Sequence, residues 1–237
     1  MAFLKMQFLF CALAATVDSQ PDLSHLTRLD EIQKYQNPEK VLESNETVFL
    51  VRAPSKGWNP SYTKCVKSIF LNYKSKERKV VRRRTEYYNI AEQKKVTETF
   101  LLKVVRRPDY KTYIAALQID GKEDARFPQI FQDEKATKKN ENEAKTSPEP
   151  RILSHAGYHL SNDVLLIRVL YSTPTCLVLE NTEDAGTRTC TLWAVASTAE
   201  DPTDCCKFAM LILCQAQAYE AYKTDQQYCD IYKKRFS

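Results

Sequence analysis

The chain has 237 residues, 43% of them hydrophobic, which is enough to bury one sizeable core and demands no second one. Its formal charge of +5 is too small to argue for a nucleic-acid partner, and a solvated basic face accounts for it. With only four glycines, turns must lean on Pro, Asn and Asp, and long flexible linkers are absent.

The N-terminus carries Lys5, an apolar run from Met6 to Ala15 and then small residues. This is the pattern of a secretory signal over residues 1–19, too short to span a bilayer, with cleavage after Ala15 or Ser19. No later stretch reaches membrane length, so the mature chain, 20–237, is expected to be one free domain with no membrane partner. Export places it in an oxidising compartment, where cysteines are read as a disulfide framework before a metal site. Cys11 leaves with the signal, and an odd number of cysteines remains.

From Pro21 to Asn45 the chain is polar, and Pro38 to Glu43 fits a short helix capped by Asn37. Asn45-Glu46-Thr47 is a glycosylation sequon on a secreted chain; Asn59 is followed by Pro60 and is unusable. Strand-like runs follow at Thr47–Ala53, Cys65–Tyr73, Lys79–Tyr88, Val96–Val105 and Tyr110–Ile119, with a short one at Ala125–Phe131 after Gly121. Their even spacing without helical interludes predicts an all-β, up-and-down antiparallel barrel. Residues 133–150 are almost free of apolar side chains and read as a solvated, mobile loop: a lid, a protein-binding arm or a tolerated insertion. Strand patterning resumes at Arg151–His159 and Val164–Tyr171.

The last quarter organises the rest. Cys176 to Cys229 holds six of the eight cysteines. Its first half alternates like a hairpin, with Leu177 and Leu179 on one face and Cys176 and Val178 on the other; Thr191 and Trp193 share a face opposite Cys190 and Leu192. A helix start follows, with Asp201 as cap, Pro202 at the first position and Asp204 in the first turn. The run Cys206–Tyr222 after it is apolar on most of its circumference and predicts a helix packed against something large.

A Cys before an apolar strand, the Leu192-Trp193 pair, a Cys heading the closing helix and a final Cys near the terminus together resemble the tick salivary lipocalins of the histamine-binding family. The resemblance implies an eight-stranded lipocalin barrel with a short N-terminal helix plugging one end and a C-terminal helix packed outside. It implies the bridges Cys65–Cys229, Cys176–Cys206 and Cys190–Cys214. Cys205 is then left as a free thiol or an intermolecular link, giving a monomer or a Cys205-linked dimer, although a swap in which it takes the partner of Cys206 is equally allowed.

Function in this family sits inside the barrel. Amine-binding members carry an Asp directly after the strand Cys and a Glu before the Leu-Trp pair, because a cation in an apolar cavity needs carboxylates and aromatic faces around it. The matching positions here are Leu177 and Thr191, and both acids are missing. Candidate ligand-binding residues are therefore Leu177, Thr191 and Trp193, with the aromatics Tyr87, Phe100 and, near the plug, Tyr35. Glu86 or Glu98 can replace the lost acids only if they face inward. The more apolar cavity suits a fatty acid, a leukotriene or a sterol. One of the consecutive Arg82, Arg83 and Arg84 must face inward in a regular strand and can meet a carboxylate head group.

His25, His155 and His159 stand in no triad or zinc motif, and no phosphate-cradling glycine loop exists, so no enzyme, metal or cofactor is expected. The basic run Lys74–Arg84 reads as an exposed hairpin face or a contact for an acidic partner. Two functions remain: a scavenger of a small host mediator, and a lipocalin that engages a host protein through its basic face or its 133–150 loop.

Overall fold

The computed structural model describes residues 35–55, 63–77, 79–107, 111–119, 158–161, 164–182, 188–214 and 218–235. The expected signal segment, the run at Ala125–Phe131, the 133–150 loop, His25 and His155 lie outside them.

A single helical turn, α1 (Glu39–Leu42), precedes the strands β1 (Val48–Pro54), β2 (Thr63–Ser75), β3 (Val80–Asn89), β4 (Lys94–Arg106) and β5 (Thr112–Gln118). Next come β6 (Tyr158–Ser161), β7 (Val164–Ser172), β8 (Cys176–Thr182) and β9 (Arg188–Val195), then α2 (Asp204–Leu213), β10 (Ala218–Tyr219) and α3 (Ala221–Arg235). Neighbours pair antiparallel in the order β1-β2-β3-β4-β5-β7-β8-β9, and β9 pairs back to β1, so eight strands close into an up-and-down barrel. This is the lipocalin fold. Closure satisfies both edges of every wall strand, which an open sheet cannot do. Short β6 pairs only with β7, and β10 adds to the end of β1. Because β5 pairs directly with β7, the wall closes with fewer strands than the sequence offers runs.

Period-two alternation sorts each wall strand between two environments. Leu50, Val81, Tyr87, Phe100, Ile114, Ile167, Leu177, Leu179 and Trp193 form the interior core. Val51, Cys176, Val178, Cys190 and Leu192 face outward and are covered by Cys206, Ala209, Met210 and Cys214 from α2 and its end. A third apolar cluster, including Leu101, Tyr113, Ala115 and Leu166, lies on the outer side of β4, β5 and β7. Glycine scarcity has a visible cost, since Lys79 and Gln93 take positive φ of 50° in the two turns flanking β3.

The three disulfides are Cys65–Cys229, Cys176–Cys206 and Cys190–Cys214, with Cα separations of 5.7, 6.4 and 5.8 Å. They are the pairs that the resemblance implies. Among the described residues no cysteine is free: in the full 237-residue chain Cys205 is disulfide-bonded as well, whereas the expected free thiol belongs to the chain that has lost residues 1–19. The swap is excluded, because Cys206 is already held by Cys176.

The closing helix also departs from expectation. It starts at Asp204 with Thr203 at the cap position, and Asp201 instead accepts Lys207 Nζ at 2.6 Å. It ends at Leu213, where Cys214 turns extended (φ −120°, ψ 117°) and is bonded to Cys190 of β9. Ala218 and Tyr219 then pair with Pro54 and Ala53, so the apolar run is split between two helices and a bridge. Leu211 and Ile212 are 73% and 57% exposed, and α2 buries only the side that carries Cys206, Ala209 and Met210.

Helix α3 is latched to the barrel by a buried charge. Asp225, 2% exposed, accepts Lys64 Nζ at 2.8 Å and the Tyr219 hydroxyl at 2.9 Å through one oxygen, and the Cys65 N–H at 3.1 Å through the other. Cys65 sits at φ 58°, where a Cβ is strained by roughly 1–2 kcal/mol, and the Asp225 bond and the Cys229 bridge hold it there. Burial pulls the Lys64 ammonium down, but its hydrogen bonds to Asp225 and Tyr219 outweigh this and leave its pKa above the ordinary value.

Candidate functional site

One end of the barrel is plugged by α1. Asn37 Oδ1 accepts the Glu39 N–H at 3.2 Å, starting the turn, and Val41 and Leu42 project into the interior core. The plug is held from inside by Arg83, the member of the arginine triplet whose parity on β3 points inward with Val81, Thr85 and Tyr87. Arg83 is 2% exposed, and all five of its N–H groups are used. Nε donates to Ser68 Oγ at 2.9 Å; Nη1 donates to the carbonyls of Leu42 at 2.8 Å and Ser44 at 3.1 Å. Nη2 donates to the Ser68 carbonyl at 2.9 Å and the Glu46 carbonyl at 3.4 Å, and the Val41 carbonyl shares Nη1 at 3.4 Å. A one-turn helix leaves its last carbonyls without intrahelical partners, and the guanidinium supplies them. Burial pushes this guanidinium down to about 10, and the ring of carbonyl oxygens keeps the charged form in place.

Above the plug lies a cavity. Its wall comprises Val41 and Leu42 of α1, Val48, Ser68, Arg83 and Thr85 of β1 to β3, Phe100 and Leu102 of β4, Ile114 and Ile167, and Leu177, Leu179 and Trp193 of β8 and β9. About 70 Å³ is open to the centre of a water molecule, within about 560 Å³ of empty space that includes the mouth. At roughly 10–15 Å³ of such space per water, the enclosed part holds about five or six waters. The enclosed part thus takes about that many heavy atoms, and a longer ligand has to extend into the mouth or move the wall.

Of the sequence-derived candidates, Leu177, Phe100 and Trp193 line this cavity. Trp193 is fixed by cross-strand pairing to Leu177 on one side and Leu50 on the other, and its indole N–H donates to Thr191 Oγ1 at 3.1 Å. Thr191 therefore faces inward but orients Trp193 and is not part of the wall. Tyr87 is buried in the same interior core, away from the wall. Tyr35 is not at the cavity. It is 47% exposed and stacks on Tyr171 with ring centroids 6.2 Å apart, while its carbonyl accepts the Ser172 N–H at 2.6 Å.

The two acids considered as replacements part ways. Glu86 has outward parity and is held by Arg84 at 2.9 Å, Lys95 at 3.0 Å and Lys67 at 3.4 Å, so it cannot serve the cavity. Glu98 lies two residues before Phe100 on β4 and pairs across to Thr85, which puts it on the inward face toward the end opposite the plug. The inward Arg83 is present as expected, but its donors are committed to backbone and to Ser68. Sequence reasoning missed Ser68, Thr85, Leu102, Ile114 and Ile167; the alternation of each strand carries that information once a single inward residue per strand is known. Asn45 of the sequon is exposed in the turn between α1 and β1. Among the described residues no helix is long and apolar enough to cross a membrane, and no cluster of three or more His, Cys, Asp or Glu is placed to hold a metal.

A family model described as Tick histamine binding protein matches residues 27–229. Among solved structures, japanin from Rhipicephalus appendiculatus, bound to cholesterol, is similar at 16% sequence identity and a TM-score of 0.45, over 75% of this chain and 93% of that one. No match is found among curated proteins.

Proposed function

Since the chain belongs to the tick histamine-binding protein family, we propose that it is a secreted salivary lipocalin that takes up one small host mediator in its barrel and perturbs host defence by sequestering it. It acts by stoichiometric binding and not by catalysis, as a free extracellular protein released from its 1–19 signal and glycosylated at Asn45. The observation that carries this reading is the plugged cavity walled by Trp193, Phe100 and Leu177. Pockets for small molecules combine such apolar walls with a few polar groups.

An apolar mediator suits this wall better than a biogenic amine. Leu177 presents a hydrocarbon surface where amine binders of the family place one acid, and Thr191 at the other position is committed to Trp193. Calorimetric titration of the mature chain with histamine, serotonin, a leukotriene, arachidonate and a sterol tests this. One-to-one binding of a lipid that is tighter than either amine is the expected result. Tighter amine binding contradicts the apolar reading.

A second reading, engagement of a host protein, draws on the apolar side chains left on the helices: Leu211 and Ile212 of α2, and Ile231 of α3, which is 57% exposed. It predicts that the whole panel fails to bind.

A further inference from the structure

We propose that the cavity takes its ligand hydrocarbon end first: an unbranched alkyl terminus fills the enclosed part beside the plug, and an ionised head group stays in the mouth. The inference rests on the reading of the cavity as the ligand site and names the part of the ligand that this site selects.

The plugged end has no donor left for a head group. Arg83 is the one charged residue among the described wall residues. Its five N–H groups already have acceptors, in Ser68 Oγ and the carbonyls of Leu42, Ser44, Glu46 and Ser68. A ligand carboxylate gains a hydrogen bond from it only by displacing these groups and so loosening the plug. Without that exchange it sits stripped of water, with the charge of Arg83 as its main compensation, and such compensation falls short when hydrogen bonds are missing. An ammonium fares worse, because the charge it meets is of its own sign.

The remaining wall hydroxyl lies farther out. Glu39 of the plug accepts Lys79 Nζ at 3.0 Å, which sets α1 against the start of β3. Thr85 follows Arg83 by two residues on the same face of β3, so its hydroxyl is one inward step away from the plug. A chain end that reaches Val41 and Leu42 has passed it. On the plug side of Arg83, Val81 pairs with Leu102, and the wall there presents hydrocarbon. The enclosed part takes only about five or six heavy atoms, so a long ligand divides between it and the mouth. Moving methylenes from water to this wall is favourable, whereas moving a head group is not.

The test uses dodecanoate and ω-hydroxydodecanoate, which share a carboxylate and a chain length and differ only at the far end. Both are titrated calorimetrically into the mature chain at about pH 8, where the carboxylates are ionised. Dodecanoate carrying carbon-13 in its terminal methyl is then followed by NMR. The expected result is that dodecanoate binds about tenfold or more tighter than its ω-hydroxy analogue, and that the labelled methyl shows Overhauser contacts to the methyls of Val41 and Leu42. Equal affinities overturn the inference and leave the cavity reading standing. A bound methyl without contact to the plug overturns it as well. Binding by neither acid overturns the reading of the cavity as a lipid site, and this inference with it.

Discussion

Replacing Arg83 by Met keeps most of the side-chain length and removes every donor that holds the plug. Three of its bonds are short: to the Leu42 carbonyl at 2.8 Å, and to the Ser68 carbonyl and Ser68 Oγ at 2.9 Å. Stranding the Leu42 and Ser68 carbonyls costs about 1–3 kcal/mol each. Water reaching the half-exposed Ser44 segment recovers part of this, so a net loss of roughly 2–4 kcal/mol is expected. Lys at this position retains the charge but not the planar fork and should lose somewhat less. Denaturant unfolding with the disulfides intact reads the global change, and amide exchange at Val41 to Ser44 reads the plug. The plug amides should lose protection first, and by more than those of the β4–β5 ladder. An Arg83→Met protein with an unchanged unfolding midpoint and a protected plug refutes the reasoning, because six bonds to backbone and Ser68 would then be worth nothing.

Three further outcomes follow from the same structure. Thr191→Val leaves the buried Trp193 indole N–H without its acceptor, at a cost of about 1–3 kcal/mol, and should shift Trp193 emission; an unaltered spectrum and stability count against its orienting role. Removing the Cys65–Cys229 bridge, which spans 164 residues, should cost roughly 5 kcal/mol if the bond mainly restricts the unfolded chain, and a loss under about 1 kcal/mol would place its effect elsewhere. Burial works to raise the pKa of Glu86, but its hydrogen bond to Lys95 and the charges of Lys67, Lys95 and Arg84 hold it below the ordinary value. Its contribution is therefore present above the ordinary Glu value of about 4.3 and fades as the pH falls through its lower folded pKa. Glu86→Gln should flatten the acid limb of the stability–pH profile, and an identical limb in both proteins contradicts this.

Much of the barrel is legible in the chain because period two is a strong signal: Leu177 and Leu179 against Cys176 and Val178 divide between cavity and outer face as the alternation predicts. Parity within a charged run is less legible. That one of Arg82, Arg83 and Arg84 points inward follows from the strand, but which one is decided by register against Phe70 and Phe100, and the same register turns Glu86 out and Glu98 in. The closing helix departs from its expected span for a different reason. Cys206 to Tyr222 carries helical hydrophobicity throughout, yet Cys214 is tied to β9 and Ala218–Tyr219 find backbone partners at the end of β1, so tertiary bonds override local propensity. Tyr35 illustrates the limit of matching positions near a plug, since a stack on Tyr171 draws its ring outside.

The claim that a small molecule occupies the barrel is tested most directly by filling the barrel. Leu102→Trp places an indole in the cavity from β4 without touching Arg83, the bridges or the Lys64–Asp225 latch. Calorimetric titration of this variant and the unaltered chain with the tightest binder of the lipid and amine panel, alongside circular dichroism to establish that the fold is kept, gives the answer. Loss of binding in a folded Leu102→Trp protein is the result the account predicts. Undiminished one-to-one binding would place the site outside the barrel and contradict it.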